Sequence, residues 1–251
     1  METLLDLEAL ESGYGLIQVL WGSSLSVCRN QSVLLLGING AGKTTLLKTI
    51  AGLVPTWKGK IVFDGVDLTR LKPNLRIAHG IGYMSELGMV PNLTVEENLK
   101  LGGYFRTDKE NRKRAGEMFD YFPDLKAYPK RMGGALSGGQ RKMLGVAKTL
   151  MSMPKLVVMD EPSSGLSPKF VKKVIEVLKF LHERENLSML IAEQNVSFLD
   201  FAQKIYILDK GQVTFGGDVE ELKGNDTIRE TYFGISQTVR SQPPSPVGET
   251  P

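Results

Sequence analysis

Apolar residues recur along this chain in two rhythms. Val33-Leu34-Leu35-Leu36, Leu156-Val157-Val158-Met159 and Leu187 to Ala192 are short continuous runs. Such runs read as strands buried on both faces, because a strand with one wet face would alternate with polar positions. Earlier in the chain, Leu4 to Leu10 and Val19 to Val27 read as strands around a loop at Ser12-Gly13-Tyr14-Gly15, which together predict a small antiparallel patch. Gly59 to Gly65 reads as a strand closing on an Asp-Gly turn. Ile77 to Met84 holds another short strand, which delivers the chain to a polar loop at Ser85-Glu86-Leu87-Gly88. Lys204 to Leu208 and Gln212 to Phe215 read as two strands around Lys210-Gly211.

Helical spacing appears in four places. Thr45 to Ile50 is stopped by Ala51-Gly52-Leu53-Val54-Pro55. Residues 108–122 place Ala115, Met118, Phe119 and Phe122 on one face, and Arg141 to Leu150 follows at the same period. Lys169 to Leu181 turns Val171, Val174, Ile175, Leu178 and Leu181 inward. Thr94, with Glu97 three residues on, predicts a capping box and a further helix start. No strand pattern interrupts the chain from the Ser85 loop to Leu156. The fold class expected is α/β. A nucleotide-binding core covers residues 1–84 and 155–235, its N-terminal part an antiparallel β patch, and a helical subdomain covers 85–154. The polar, proline-rich stretch from about Ser236 is expected to be a disordered tail.

Composition narrows this little. The 251 residues are 41% hydrophobic and 24% charged, ordinary for a globular protein. A net charge of +3 is too mild to argue for a nucleic-acid partner, and none is expected. One cysteine, Cys28, leaves no disulfide framework and no cysteine metal site. No apolar run approaches the ~20 residues that span a bilayer, and Met1 to Asp6 has neither a basic region nor an apolar core. No signal peptide is expected, and any membrane role must come through a partner.

The chemistry sits where rhythms change. Between the run ending at Leu36 and the helix from Thr45 lies Gly37-Ile38-Asn39-Gly40-Ala41-Gly42-Lys43-Thr44-Thr45, with phosphate-loop spacing. Gly37, Gly40 and Gly42 are expected to turn at positive φ and to admit a ligand close to the backbone. The loop amides, Ala41 among them, and the helix start then favour an anion. Lys43 would neutralise β- and γ-phosphates, Thr44 would ligate Mg²⁺, and Thr45 would reach the α-phosphate. Tyr14, between two glycines ahead of this loop, is read as a ring that stacks on a nucleotide base. Leu136-Ser137-Gly138-Gly139-Gln140 opens the helix through Leu150 and reads as a second anion site, built from a hydroxyl, glycine amides and a helix N-terminus. Asp160-Glu161 ends a buried strand. There Asp160 would hold Mg²⁺ with Thr44, and Glu161 would act as general base on an attacking water.

In this order and spacing, the three motifs resemble the ATP-binding subunits of ABC transporters over about residues 4–235. The resemblance implies that Gly37 to Thr45 hold the phosphates of ATP, while Ser137, Gly138 and Gln140 bind the γ-phosphate held by an opposite subunit. Ser164 to Ser167 would form a loop crossing that interface. Glu86 stands where the family usually has a glutamine linked to Mg²⁺ and water, Ser167 where it has aspartate, and Gln194 where it has histidine. Glu86 and Gln194 therefore join Lys43 and Glu161 as candidate catalytic residues, and Glu86 joins Thr44 and Asp160 as a candidate metal ligand. Glu193-Gln194-Asn195 and Thr94 to Leu99 are similar to the branched-chain amino-acid branch, and to the smaller of its two ATPase subunits. Ser85-Glu86-Leu87-Gly88 departs from that branch's usual Pro-Glu-Gly-Arg.

The same resemblance implies an ATPase driving import of branched-chain or other neutral amino acids. Its partners would be permease subunits docked near Glu86 and residues 87–105, a second ATP-binding subunit and, indirectly, a solute-binding protein. Its place would be the cytoplasmic face of the plasma membrane. Alternatives are an importer of urea or short amides, and a regulatory subunit that binds ATP but hydrolyses it poorly.

Overall fold

The computed structural model describes residues 2–224, so the tail expected from Ser236 lies outside the described residues. β1 (Thr3–Tyr14) and β2 (Ile17–Cys28) form a long hairpin, and β3 (Ser32–Leu36) leads into α1 (Lys43–Ile50). Next come β4 (Thr56–Phe63), β5 (Val66–Asp67), α2 (Pro73–His79) and β6 (Ile81–Met84). Four helices follow with no strand among them: α3 (Val95–Gly102), α4 (Asp108–Tyr121), α5 (Pro123–Lys126) and α6 (Gly138–Leu150). The chain then runs β7 (Leu156–Asp160), α7 (Pro168–Glu185), β8 (Ser188–Glu193), β9 (Lys204–Asp209), β10 (Gln212–Gly217) and α8 (Val219–Gly224).

The strands make two sheets. One is antiparallel, in the order β2-β1-β4-β5. The other runs β10-β9-β3-β8-β7-β6, parallel except for its β10 edge. The continuous apolar runs are the central strands of this second sheet. Period two sends Leu34 and Leu36 of β3 into one core and Val33 and Leu35 into the other. β7 and β8 divide likewise, with Val157, Met159, Met189 and Ile191 on one side and Leu156, Val158, Leu190 and Ala192 on the other. The parallel sheet is therefore the middle of three layers. α1 and the antiparallel sheet cover one face, and the helices from α3 to α7 cover the other. Because the central strands run parallel, Leu36, Met84, Asp160 and Glu193 all leave at one edge, where ligands gather in such folds.

The helical stretch shares its core with the sheet: Met143, Leu144, Ala147 and Leu150 of α6 are buried with Val157, Met159 and Ile191. Arg114 of α4 ties this stretch to α7 through paired bonds to Glu185 at 2.8 and 2.7 Å, and a third to the Leu150 carbonyl at 3.2 Å. The expected capping box is present: Thr94 Oγ1 accepts from the Glu97 amide at 3.2 Å, and the Thr94 amide donates to Glu97 Oε2 at 2.8 Å.

Two local expectations change. Ser12, Gly13 and Tyr14 belong to β1 rather than to a loop, because pairing continues to Tyr14 opposite Ile17 and only Gly15 and Leu16 turn. Ile77 to His79 end α2, which Pro73 begins and Gly80 stops at φ 112°, so the strand starts at Ile81.

Candidate active site

The glycine loop leaves β3 and enters α1 through Gly40 at φ 81° and Gly42 at φ 105°. Gly42 is the N-cap of α1, with no side-chain cap and no acidic residue in the first turn. The first amides of α1 thus keep their hydrogens for an anion. Gly37 differs from the expectation. It has no positive φ, and it must be glycine because a Cβ there would lie 2.6 Å from the Leu208 carbonyl oxygen. Lys43 is 4% exposed, and its ammonium donates to the carbonyls of Gly37 at 2.8 Å and Ile38 at 3.2 Å, with Glu161 Oε1 3.4 Å away. Asn39, Gly40, Gly42, Lys43, Thr44, Thr45 and Glu161 line this cradle, and Val19 enters it from β2.

Thr44 Oγ1 donates to Asp160 Oδ1 at 3.1 Å. Burial pushes the Asp160 carboxyl above its usual range. The Thr44 bond and Lys43 pull it back, while Glu161 and Glu86 push it further up. A buried carboxylate with one hydroxyl partner and carboxylate neighbours fits a hard divalent cation such as Mg²⁺. Among the described residues no group of three acidic, His or Cys side chains could hold a metal by itself. Thr44 and Asp160 would offer such a cation one hydroxyl and one carboxylate.

Glu161 follows β7 with φ 45°, a conformation that costs of order 1–3 kcal/mol in a residue with a side chain. Its amide donates to the Ala192 carbonyl at 2.9 Å. Its own carbonyl accepts from the Ser164 amide at 3.1 Å and from Lys142 Nζ at 2.9 Å. These bonds aim its carboxylate at the cradle. There Gln194 Nε2 donates to Glu161 Oε1 at 2.8 Å and to Asn39 Oδ1 at 2.7 Å. Gln194 thus bridges Glu161 to the glycine loop.

Glu86 stands beside the cradle rather than in its lining. Its carboxylate accepts from Ser164 Oγ at 3.1 Å, and it lines a neighbouring pocket with Leu87, Gly138, Arg141, Lys142 and Ser164 to Leu166. Its charge is still felt at Asp160, whose carboxyl it helps to push up.

Ser137 and Gln140 close a capping box at the start of α6. Ser137 Oγ accepts from the Gln140 amide at 3.3 Å, and the Ser137 amide donates to Gln140 Oε1 at 3.1 Å. Gly138 faces the neighbouring pocket, and Gly139 is buried where a Cβ would meet the Phe170 ring at 2.4 Å, so a side chain is excluded there. The cradle and this second pocket share no residue. Tyr14 ends β1 beside the turn, 46% exposed, on the hairpin whose other arm brings Val19 to the cradle.

Three functional supports are not legible in the sequence motifs. The Gly211 amide donates to the Ala41 carbonyl at 2.8 Å, and its own carbonyl accepts from the Trp21 amide and from Ser23 Oγ, so the β9–β10 turn pins the phosphate loop to β2. Glu193, 3% exposed, accepts from the Ser163 amide at 2.8 Å and steadies the turn after Glu161. Lys142 reaches the backbone on both sides of the site. Only the Lys210-Gly211 turn left a signal, since a glycine there marks a tight hairpin.

The chain is similar to known proteins over most of its length. The ABC transporter family matches residues 20–164. The probable branched-chain amino acid transport ATP-binding protein LivF of Archaeoglobus fulgidus is 36% identical, over 90% of this chain and 97% of its own length. The high-affinity branched-chain amino acid transport ATP-binding protein BraG of Pseudomonas aeruginosa is 34% identical, over 92% of this chain and all of its own. The lipopolysaccharide export system ATP-binding protein LptB of Haemophilus influenzae is 35% identical, over 92% and 98%. Among solved structures, an ATP-binding cassette of an ABC transporter in its ADP conformation superposes with TM-score 0.81 and 26% identity, covering 94% of this chain and 100% of that one.

Proposed function

The chain belongs to the ABC transporter family as an ATP-binding, ATP-hydrolysing subunit, and from that premise we propose how its residues divide the work and what they serve. Lys43 and the α1 amides hold the β- and γ-phosphates. Thr44 and Asp160 hold Mg²⁺, which when bound neutralises charge on those phosphates. Glu161 accepts a proton from the attacking water, a role worth roughly 10²–10⁴ in rate. Gln194 orients Glu161 against Asn39, and Tyr14 stacks on the base. The regulatory, hydrolysis-poor alternative is disfavoured by the intact Glu161.

The observation that supports the assembly most is the presence of two separate anion-ready sites on one chain. The Lys43 cradle and Gly138 of the Ser137–Gln140 tip line different pockets of one chain. A second ATP-binding subunit, turned head to tail, would bring its tip to this cradle. Nucleotide then bridges the pair and hydrolysis releases it. The test is Glu161→Gln with its partner subunit at saturating Mg-ATP, followed by light scattering. A stable larger species supports the sandwich, and a species that stays at monomer mass refutes it.

The permease would dock on Leu101, Tyr104 and Phe105, which are 46%, 77% and 55% exposed around a groove that also includes Ile77 and Lys148. Exposed aromatics of this kind suit a partner helix. Among the described residues no helix is long and apolar enough to cross a membrane, so attachment at the cytoplasmic face would run through that partner. By likeness to the two branched-chain relatives, the cargo is a branched-chain or other neutral amino acid. Near-equal identity to the export protein favours an export assembly as the second reading. Leucine uptake by the assembled transporter separates the two, and absent uptake with intact ATPase activity rejects amino-acid import.

A further inference from the structure

Lys142 is 8% exposed on α6, yet its ammonium is spent on no carboxylate. It donates to the Glu86 carbonyl at 2.6 Å and to the Glu161 carbonyl at 2.9 Å. Burial pushes its pKa down, opposed by the charges of Glu86, Glu193, Glu161 and Asp160 around it. An ammonium removed from water this way is expensive, and its two carbonyl bonds offset only part of that cost. The fold gains little stability from it, so its value lies in what the two carbonyls belong to.

Those carbonyls sit on segments that no ladder holds. Residue 86 lies in the loop after β6, and residue 161 is the left-handed residue after β7. Lys142 itself stands just past the Ser137–Gln140 tip on α6. One side chain therefore joins the loop that the family resemblance sets toward the permease, the backbone that aims Glu161, and the helix proposed to meet the opposite nucleotide. We propose that Lys142 is a positioning residue that couples the Glu86 loop and the α6 tip to the orientation of Glu161, so that docking and closure align the base. This rests on the proposed role of Glu161. It adds a mechanical link which neither the phosphate cradle nor the capping box provides. Displacement of the loop pulls on the ammonium, and the ammonium pulls on the residue that carries the carboxylate. A misplacement of about 1 Å in an oriented group costs up to ~100-fold in rate.

The test uses the assembled transporter and three variants: Lys142→Met, Lys142→Arg and Glu161→Gln. Lys142→Met keeps the length and removes the donors. Its kcat should fall roughly tenfold to a hundredfold while KM and ATP affinity stay within about twofold, because the Lys43 cradle is untouched. Its Tm should shift by no more than about 4 °C either way, because losing the buried charge and leaving the Glu86 carbonyl without its donor oppose each other. Lys142→Arg, which retains donors, should recover most of the lost kcat. Hydrogen exchange should quicken together at 85–90 and 161–165 in Lys142→Met. Wild-type kcat in Lys142→Met would overturn the proposal. So would a loss that Lys142→Arg does not rescue and that tracks a fallen Tm, which would mean packing alone. If Lys142→Met does not fold, the Arg variant decides, because wild-type-like exchange and kcat there are required. If Glu161→Gln hydrolyses ATP at the wild-type rate, the reading of Glu161 fails instead, and the two failures are distinct.

Discussion

Replacing Gln194 with alanine removes one side chain that touches both the base and the phosphate loop. Its amide donates to Glu161 Oε1 at 2.8 Å and to Asn39 Oδ1 at 2.7 Å. A hydrogen bond to a charged acceptor contributes ~1.5–3 kcal/mol, and Gln194 is exposed, so the lower end applies. About 1.4 kcal/mol of lost alignment is roughly tenfold in rate. The expected result for Gln194→Ala is thus a kcat about tenfold lower. ATP affinity should change little, because Lys43 and Thr44 are untouched. Phosphate release measured across a range of Mg-ATP concentrations separates the two constants. Gln194→Glu should be worse than alanine, because it sets a second carboxylate against Glu161. At ~4 Å and an effective dielectric constant of 20 that repulsion approaches ~4 kcal/mol, a ceiling for an exposed group. An unchanged kcat in Gln194→Ala would mean that the bridge has no part in turnover. A collapse matching Glu161→Gln would refute the orienting role from the other side, since the amide would then be acting in the chemistry itself.

Other perturbations have equally definite outcomes. Lys43→Ala should abolish ATP binding and turnover by equilibrium binding and phosphate release, since it removes the ammonium that lines the cradle. Ser137→Arg should cripple turnover of the assembled pair while single-chain nucleotide affinity stays near normal, with about 1 kcal/mol lost from the α6 cap. Arg76, 2% exposed, donates to the carbonyls of Thr49, Ile50, Leu71 and Thr69. Arg76→Leu leaves these unpaired and should cost about 3 kcal/mol, seen as a Tm lower by roughly 6–12 °C. Burial holds the Glu193 carboxyl above its ordinary value of 4.5, against the pull of the amide donors of Ser163, Asn195 and Gln194. A raised acid binds its proton more tightly when folded, so its contribution is full below 4.5 and is lost as pH rises through the folded value. Denaturant titrations should therefore show Glu193→Gln flattening that decline from pH 4.5 upward. A variant curve parallel to wild type would exclude Glu193 as its source.

The sequence alone determined the parts whose chemistry is local. A loop that wraps phosphate needs its glycines, lysine and threonines within one turn, so Gly37 to Thr45 could be read without a fold, as could the Asp160-Glu161 strand end and the Thr94 helix cap. The continuous apolar runs likewise announced the central strands, since only a strand covered on both faces reads that way. Tertiary structure decided whatever joins residues far apart in the chain. Gln194 meets Asn39 across 155 positions, and Ser164 takes the carboxylate of Glu86 across 78. Lys142 spans two loops, and Gly211 fastens the phosphate loop to β2. Parallel strands bring such residues together through crossovers of many lengths, and no periodicity records the register of those crossovers. Tyr14 shows the same limit close at hand: whether its glycine-flanked position was strand or loop depended on how far the hairpin stayed paired, which is settled by the partner strand and not by the local residues.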